Sequence, residues 1–70
     1  MFIKINETPS NCVGKHRKSA GLTQEELAQQ VGITRQTVIA IEKGNYTPSV
    51  LLALKLAQVL KVPIGELFWL

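Results

Sequence analysis

The middle of the chain carries side chains that can recognise the edges of DNA bases. The guanidinium group of Arg35 can donate two hydrogen bonds to guanine O6 and N7, and the carboxamide of Gln36 can pair in the same way with adenine N6 and N7. Ile39 and Ala40 offer apolar contacts for a thymine methyl group. These residues fit the chemistry of base readout if one element presents them on a single exposed face.

A helix over residues 34–43 would present them in that way. Thr34 is a favourable N-cap, and Gly44 is typical of a helix end. Because a helix advances roughly 100° per residue, Val38 and Ile41 fall on one side and the base-reading candidates on the other. The alternative interpretation is a solvated helix face that carries an ordinary arginine and glutamine.

A shorter helix is predicted directly before this one. Thr23 and Glu26 have the spacing of a capping box, so the helix begins at Gln24. It ends at Gly32, because glycine enters the left-handed cap conformation without steric cost. A tight turn therefore joins two short helices.

An earlier helix is predicted at the start of the domain. Ser10 or Asn11 can cap it, and it continues to Ala20, where Gly21 closes it. Gly14 stands inside this helix and costs on the order of 1 kcal/mol relative to alanine.

Two further elements follow the central pair. Thr47 is the predicted N-cap of a helix that has Pro48 at its first position. The segment Val50–Leu60 is apolar around nearly its whole circumference, which is typical of a helix buried on most sides. After Pro63, residues 64–70 are predicted to form a short fifth helix or an extended tail.

These elements predict an all-α, compact domain of four to five helices over residues 10–70. Residues 1–9 are predicted to be an N-terminal arm or a short strand. Within this arm, residues 2–5 could add a short strand against the C-terminal tail or a neighbouring subunit.

Apolar and small residues in the central pair follow a fixed pattern. Counted from Gln24, apolar residues stand at positions four, eight, ten, fifteen and eighteen, with alanine at five and glycine at nine. Two short helices that cross need a small residue at the crossing and a glycine where the chain reverses. The pattern resembles the helix-turn-helix of lambda-repressor/Cro-like (Xre) transcription regulators, and the similarity extends through GLTQEELA (21–28), RQT (35–37), IEKG (41–44), YTPS (46–49) and LKLA (54–57).

The resemblance implies a lambda-repressor-like fold that binds double-stranded DNA, and it favours the DNA-reading interpretation over the solvated face. The side chains predicted to contact bases, from their chemistry and their shared helix face, are Arg35, Gln36, Ile39 and Ala40. Helix N-termini and lysine side chains also suit phosphate groups without reading sequence. The residues that the resemblance brings to the DNA backbone are Gln24, Thr34, Lys43, Asn45 and Tyr46. For the tyrosine, packing against the domain is an equal alternative.

The resemblance also implies a partly buried ion pair between Arg17 and Glu42 that clamps two helices together. A carboxylate catalyst is the competing interpretation, but no nucleophile, metal ligand or partner acid accompanies Glu42. We therefore expect no enzyme activity, no cofactor and no metal. His16 departs from the family, which usually has leucine there, and we expect it at the edge of the packing.

Composition is consistent with this reading. The chain has 70 residues, with 8 Lys and Arg against 5 Asp and Glu, and its formal net charge is +3. A positive balance favours a polyanionic partner. The single Cys12 cannot form an internal disulfide, and no apolar run approaches the roughly 20 residues that cross a bilayer. We expect a cytoplasmic protein with no membrane association.

The C-terminal end holds more apolar side chains than a small core needs. We expect a homodimer interface there, because aromatic residues are enriched at interfaces, formed by Leu51, Ile64, Phe68, Trp69 and Leu70. A two-fold dimer would space two reading helices by roughly 34 Å and match a palindromic operator. The sequence thus predicts a sequence-specific transcriptional regulator, most simply a repressor. The alternative is an antitoxin or protein-interaction module whose apolar surface binds a toxin.

Overall fold

The computed structural model describes residues 7–70, which form five helices and one short sheet. The elements are β1 (Ser10–Asn11), α1 (Val13–Ser19), α2 (Gln24–Val31), α3 (Arg35–Glu42), α4 (Val50–Leu60), α5 (Ile64–Leu67) and β2 (Phe68–Trp69). The predicted helical class is confirmed, with a two-stranded sheet added to it. Within residues 7–70, no helix has the length and apolar character that a membrane crossing requires.

Local capping fixes the start and end of α2 as predicted. The side chain of Thr23 accepts a hydrogen bond from the N–H of Glu26 at 3.0 Å, and the Glu26 carboxylate accepts one from the N–H of Thr23 at 2.8 Å. The backbone hydrogen bond from Thr23 lowers the pKa of Glu26 below its ordinary value of 4.5. At the other end, Gly32 adopts the left-handed conformation with φ of 77°.

The first helix begins later than its sequence suggests. Ser10 and Asn11 were predicted to cap it, but they form β1, and Cys12 occupies the N-cap position of α1. The asparagine still contributes to capping, because its Oδ1 accepts a hydrogen bond from the N–H of Val13 at 3.0 Å. The strand takes these residues because a distant partner, which local sequence does not reveal, pairs with them.

That partner is the C-terminal strand. β1 and β2 are antiparallel, with Ser10 opposite Trp69 and Asn11 opposite Phe68. The strand that was predicted at residues 2–5 lies outside the described residues. Residues 64–70 combine the two alternatives considered for them, since α5 is a single short helix and an extended strand follows it.

The fourth helix is capped by a different residue from the one expected. Ser49 accepts a hydrogen bond from the N–H of Leu52 at 3.1 Å and has extended backbone angles. The prediction of Thr47 as the cap and Pro48 as the first helical residue was wrong by two residues. Both residues lie in the extended segment before the helix.

The same helix is buried on one side only, so the prediction that it is buried on most sides was also wrong. Val50 is 75% exposed, Leu51 63% and Leu54 51%. The side chains that enter the core are Leu52, Ala53, Leu56, Ala57 and Leu60.

One core holds the five helices together. It includes members of α1, α2, α3, α4 and α5, and its fully buried large side chains are Val13, Leu27, Val38, Ile41, Leu56 and Leu67. Burying an aliphatic side chain of this size contributes roughly 1.5–3 kcal/mol. The core therefore fixes the angle at which α3 lies against α2.

Candidate nucleic-acid interface

Helix α3 is anchored by one face and exposes the other. Val38 and Ile41 are each 1% exposed and pack in the core. Arg35 and Gln36, at the opposite face, are exposed at the N-terminal end of the helix. No hydrogen bond within residues 7–70 occupies their side-chain donors, so these two groups can meet a ligand from solvent.

The two apolar candidates are less accessible. Ile39 and Ala40 are half-buried, one turn further along α3. Each leaves part of its surface open to solvent, which is enough for an apolar contact but not for deep insertion between bases. Of the four base-contact candidates, the two with hydrogen-bonding groups are therefore more exposed than the two apolar ones.

The N-terminal end of α3 is closed by threonines. Thr34 accepts a hydrogen bond from the N–H of Thr37 at 3.2 Å, and the two hydroxyl groups lie 3.0 Å apart. Thr34 is exposed, and its position beside the positive end of the helix dipole suits a phosphate group.

An ion pair fixes the C-terminal end of α3 to α1. Nε of Arg17 donates to Oε2 of Glu42 at 2.7 Å, and its Nη2 donates to Oε1 at 3.3 Å. Nη1 of the same arginine donates to the carbonyl of Leu22 at 2.8 Å, just before α2. The two side chains are only 10% and 13% exposed. Removal of one partner would leave a buried charge, at a cost of roughly 3–5 kcal/mol.

Gln24 extends this network to the surface. Its Nε2 donates to Oε1 of Glu42 at 3.3 Å, and its side chain is half-buried. It also lines an open groove together with Arg35, Thr23 and Glu25. The structure thus brings the predicted backbone contact Gln24 and the predicted base contact Arg35 to one groove at the start of α2 and α3.

The turn after α3 carries the other candidates for backbone contacts. Lys43 and Asn45 are exposed, and the N–H of Asn45 donates to the carbonyl of Ala40 at 2.8 Å. Gly44 has φ of 78°, a conformation that lets the chain leave the helix sharply. Tyr46 is 45% exposed and lines a groove with Ile33 and Leu51 among others. The tyrosine ring is thus both packed and accessible.

Two polar residues that sequence reasoning did not connect to this region also contact it. Thr8 Oγ1 donates to the carbonyl of Gly44 at 2.8 Å. Asn11 Nδ2 donates to the carbonyl of Ile41 at 2.9 Å. No short-range pattern could reveal either bond, because each joins residues that are at least 30 positions apart.

The residues of the predicted dimer interface are mostly exposed. Leu51, Ile64, Trp69 and Leu70, which were predicted to form a dimer interface, are exposed, with Leu70 96% accessible. Phe68 instead packs partly against the core. The exposed apolar residues that the sequence prediction omitted are Val50 and Leu54.

The described residues offer no cluster for a metal ion. Within residues 7–70, no three His, Cys, Asp or Glu side chains lie close enough together to hold one. The charged groups of the interface are instead engaged with each other or exposed to solvent.

Comparison with known proteins identifies the arrangement. A family model described as helix-turn-helix matches residues 13–67, which include α1 to α5. The chain belongs to the lambda-repressor/Cro-like (Xre) helix-turn-helix family. The resemblance found in the sequence is therefore confirmed, and this family is one of DNA-binding transcriptional regulators, not enzymes.

Individual relatives share both sequence and fold. The uncharacterized HTH-type transcriptional regulator YgzD of Bacillus subtilis is 50% identical over 60 residues, which cover 86% of this chain and 91% of that protein. The restriction-modification controller protein C.AhdI from Aeromonas hydrophila superimposes with a TM-score of 0.74 at 38% identity, covering 80% of this chain and 85% of that chain. SinR of Bacillus subtilis, a master regulator for biofilm formation solved in complex with DNA, gives a TM-score of 0.69 at 30% identity and covers 76% of this chain and 86% of its own.

Proposed function

We propose that this protein is a cytoplasmic, sequence-specific transcriptional repressor that binds a palindromic operator as a homodimer. The helix at residues 34–43 enters the major groove. The DNA-binding domain comprises residues 10–70, and residues 1–9 form an arm or short strand that precedes it. The observation that carries the proposal is the exposure of Arg35 and Gln36 on a helix whose opposite face is buried. Their donors and acceptors match purine edges.

The remaining contacts divide between base and backbone. Ile39 and Ala40 contact thymine methyl groups, while Gln24, Thr34 and Lys43 fix the register on phosphates. Asn45 and Tyr46 extend the backbone contact along the turn after α3, where both are exposed. The net charge of +3 supports this division, because phosphate contacts supply affinity that does not depend on sequence.

A homodimer would account for a palindromic site. Two copies joined through Leu51, Ile64, Phe68, Trp69 and Leu70 would place two reading helices about one DNA turn apart, roughly 34 Å. A dimer on an operator that overlaps a promoter excludes polymerase by occupancy alone, so repression requires no further contact.

The experiment is selection of bound sequences from random duplex DNA, followed by affinity measurements on the selected site. We expect Arg35→Ala to cost about 1–3 kcal/mol on that site and to relax the base preference at one position. We expect Lys43→Ala to weaken binding to all sequences and to reduce the salt slope by about one.

Lys61→Ala is the matched control for charge, since Lys61 is an exposed lysine whose groove contains none of the proposed DNA contacts. It should leave both the affinity for the selected site and the salt slope close to those of the wild type. Equal losses on the selected site and on random DNA for Arg35→Ala would contradict the assignment of Arg35 to base readout.

A second candidate function follows from the exposed apolar residues. If Trp69 and Leu70 bind another protein, the chain is an antitoxin or interaction module that uses the same fold. Copurification of a second protein with the wild type, and its loss from Trp69→Ala, would support that function over the homodimer.

A further inference from the structure

Asn11 connects three parts of the domain, two through its side chain and one through its main chain. Its Oδ1 accepts a hydrogen bond from the N–H of Val13 at 3.0 Å, at the start of α1. Its Nδ2 donates to the carbonyl of Ile41 at 2.9 Å, in the last turn of α3. Its main chain lies opposite Phe68 in the β1–β2 sheet. The carboxamide therefore has a protein partner at each end.

The carbonyl of Ile41 that Asn11 contacts lies in the last turn of α3. The last carbonyl groups of a helix have no N–H donor within that helix, so they accept hydrogen bonds from groups outside it. The carbonyl of Ile41 accepts the N–H of Gly44 at 3.0 Å as well as the carboxamide of Asn11. Thr8 donates to the carbonyl of Gly44, so two side chains of the N-terminal segment hold the end of α3 and its turn.

We propose that Asn11 is a positioning residue for DNA binding, whose carboxamide ties the main chain of α3 to the β1–β2 sheet. The Arg17–Glu42 pair holds a side chain at this end of the helix, whereas Asn11 holds the backbone itself. The tie sets how α3 presents its exposed face. The predicted effect on DNA affinity rests on the proposed function, but the predicted effect on the stability of the end of α3 does not.

Asn11→Asp separates this role from simple capping of α1. A carboxylate keeps the acceptor for the N–H of Val13, and aspartate is a favourable capping residue. It replaces the donor to Ile41 with an oxygen that faces the carbonyl oxygen. Asn11→Ala removes both bonds, and Ser10→Ala, which changes an exposed side chain in the same strand, is the control.

We expect Asn11→Asp and Asn11→Ala each to lower affinity for the selected operator about fivefold, the loss of one modest hydrogen bond. Affinity for random duplex DNA should change less, and Ser10→Ala should match the wild type on both. Wild-type operator affinity for Asn11→Asp would show that the asparagine acts only as a cap, and would overturn the proposal.

Amide hydrogen exchange tests the tie without DNA. In Asn11→Asp, the amides of Lys43, Gly44 and Asn45 should exchange about fivefold faster relative to those of α2. Unchanged exchange at these amides, or equal acceleration in every helix, would overturn the positioning role. If the wild type shows no sequence preference on DNA, the proposed function fails, while selective acceleration at the end of α3 still supports the tie.

Discussion

The carboxylate of Glu42 receives hydrogen bonds from two side chains on different elements. Arg17 reaches it from α1 and Gln24 from α2, so one side chain at the end of α3 contacts both neighbouring helices. It also lies against the backbone of α1. A Cβ atom at Gly14 would stand 3.1 Å from Oε1 of Glu42, closer than an ordinary contact. Glycine inside α1 thus provides the space that the carboxylate occupies.

Gly14→Ala should therefore not give the gain that alanine usually brings to a helix. The added methyl group forces Oε1 of Glu42 away from its two longer hydrogen bonds, both at 3.3 Å. This loss offsets the roughly 0.4–1 kcal/mol expected from replacing a helical glycine with alanine. The free energy of unfolding, measured by urea denaturation, should stay equal to the wild-type value or fall below it.

Gly65→Ala is the matched control, because Gly65 also lies in a helix but a Cβ there meets nothing within 4 Å. We expect this variant to gain roughly 0.4–1 kcal/mol. Equal gains from both substitutions would show that Glu42 adjusts without cost and that Gly14 has no steric role.

The sequence predicted the contacts of some single residues and not those of others. Arg17 and Glu42 could be named because a family resemblance links positions 25 residues apart. Asn11 was assigned to a cap and Gly14 to a helix penalty, since local spacing gives no information about a contact with α3. Their roles depend on where distant backbone atoms lie.

Helix ends can be predicted only where local residues determine them. The ends of α2 are set by a reciprocal capping box and a left-handed glycine, both local, and both were predicted correctly. At the start of α4 the sequence predicted Thr47 as the cap, whereas the structure places the cap at Ser49, on the other side of Pro48. Propensity favours threonine and serine almost equally there, so the choice of Ser49 depends on how the preceding segment packs.

If Ser49 is the cap of α4, alanine should destabilise the protein more at Ser49 than at Thr47. Ser49→Ala removes the acceptor of the N–H of Leu52 and should lower the free energy of unfolding by about 1 kcal/mol. Thr47→Ala removes an exposed hydroxyl group in the extended segment and should change it by less than about 0.5 kcal/mol. Urea denaturation of both variants measures the difference. A larger loss for Thr47→Ala would place the functional cap at the position first predicted.

At the scale of the whole molecule, the sequence could not tell a core from an interface. Helix α4 is apolar around nearly its whole circumference, with only Lys55 and Gln58 polar, so its apolar residues alone do not say which face the core uses. The packing of α2 and α5 decides this and leaves Val50, Leu51 and Leu54 exposed. Exposure of large apolar side chains on a small domain is typical of a surface that binds another chain.

The proposed homodimer predicts the mass of the particle in solution. Sedimentation at micromolar concentration should give about twice the 7.7 kDa of one chain. Trp69→Ala should raise the dissociation constant of the dimer about tenfold or more, because buried aromatic residues dominate interface energies. Gln29→Ala, which alters an exposed side chain on α2 outside the predicted interface, is the control and should leave that constant unchanged.

The spacing of the selected half-sites gives a second, independent measure of the same dimer. Two reading helices related by a two-fold axis should select inverted repeats whose centres are about 10 base pairs apart, and Trp69→Ala should weaken binding to the repeat more than to one half-site. A single mass of one chain, together with selection of isolated half-sites, would contradict the homodimer. Under that result the exposed C-terminal residues would be assigned to a different protein partner, while α3 would keep its role in reading DNA.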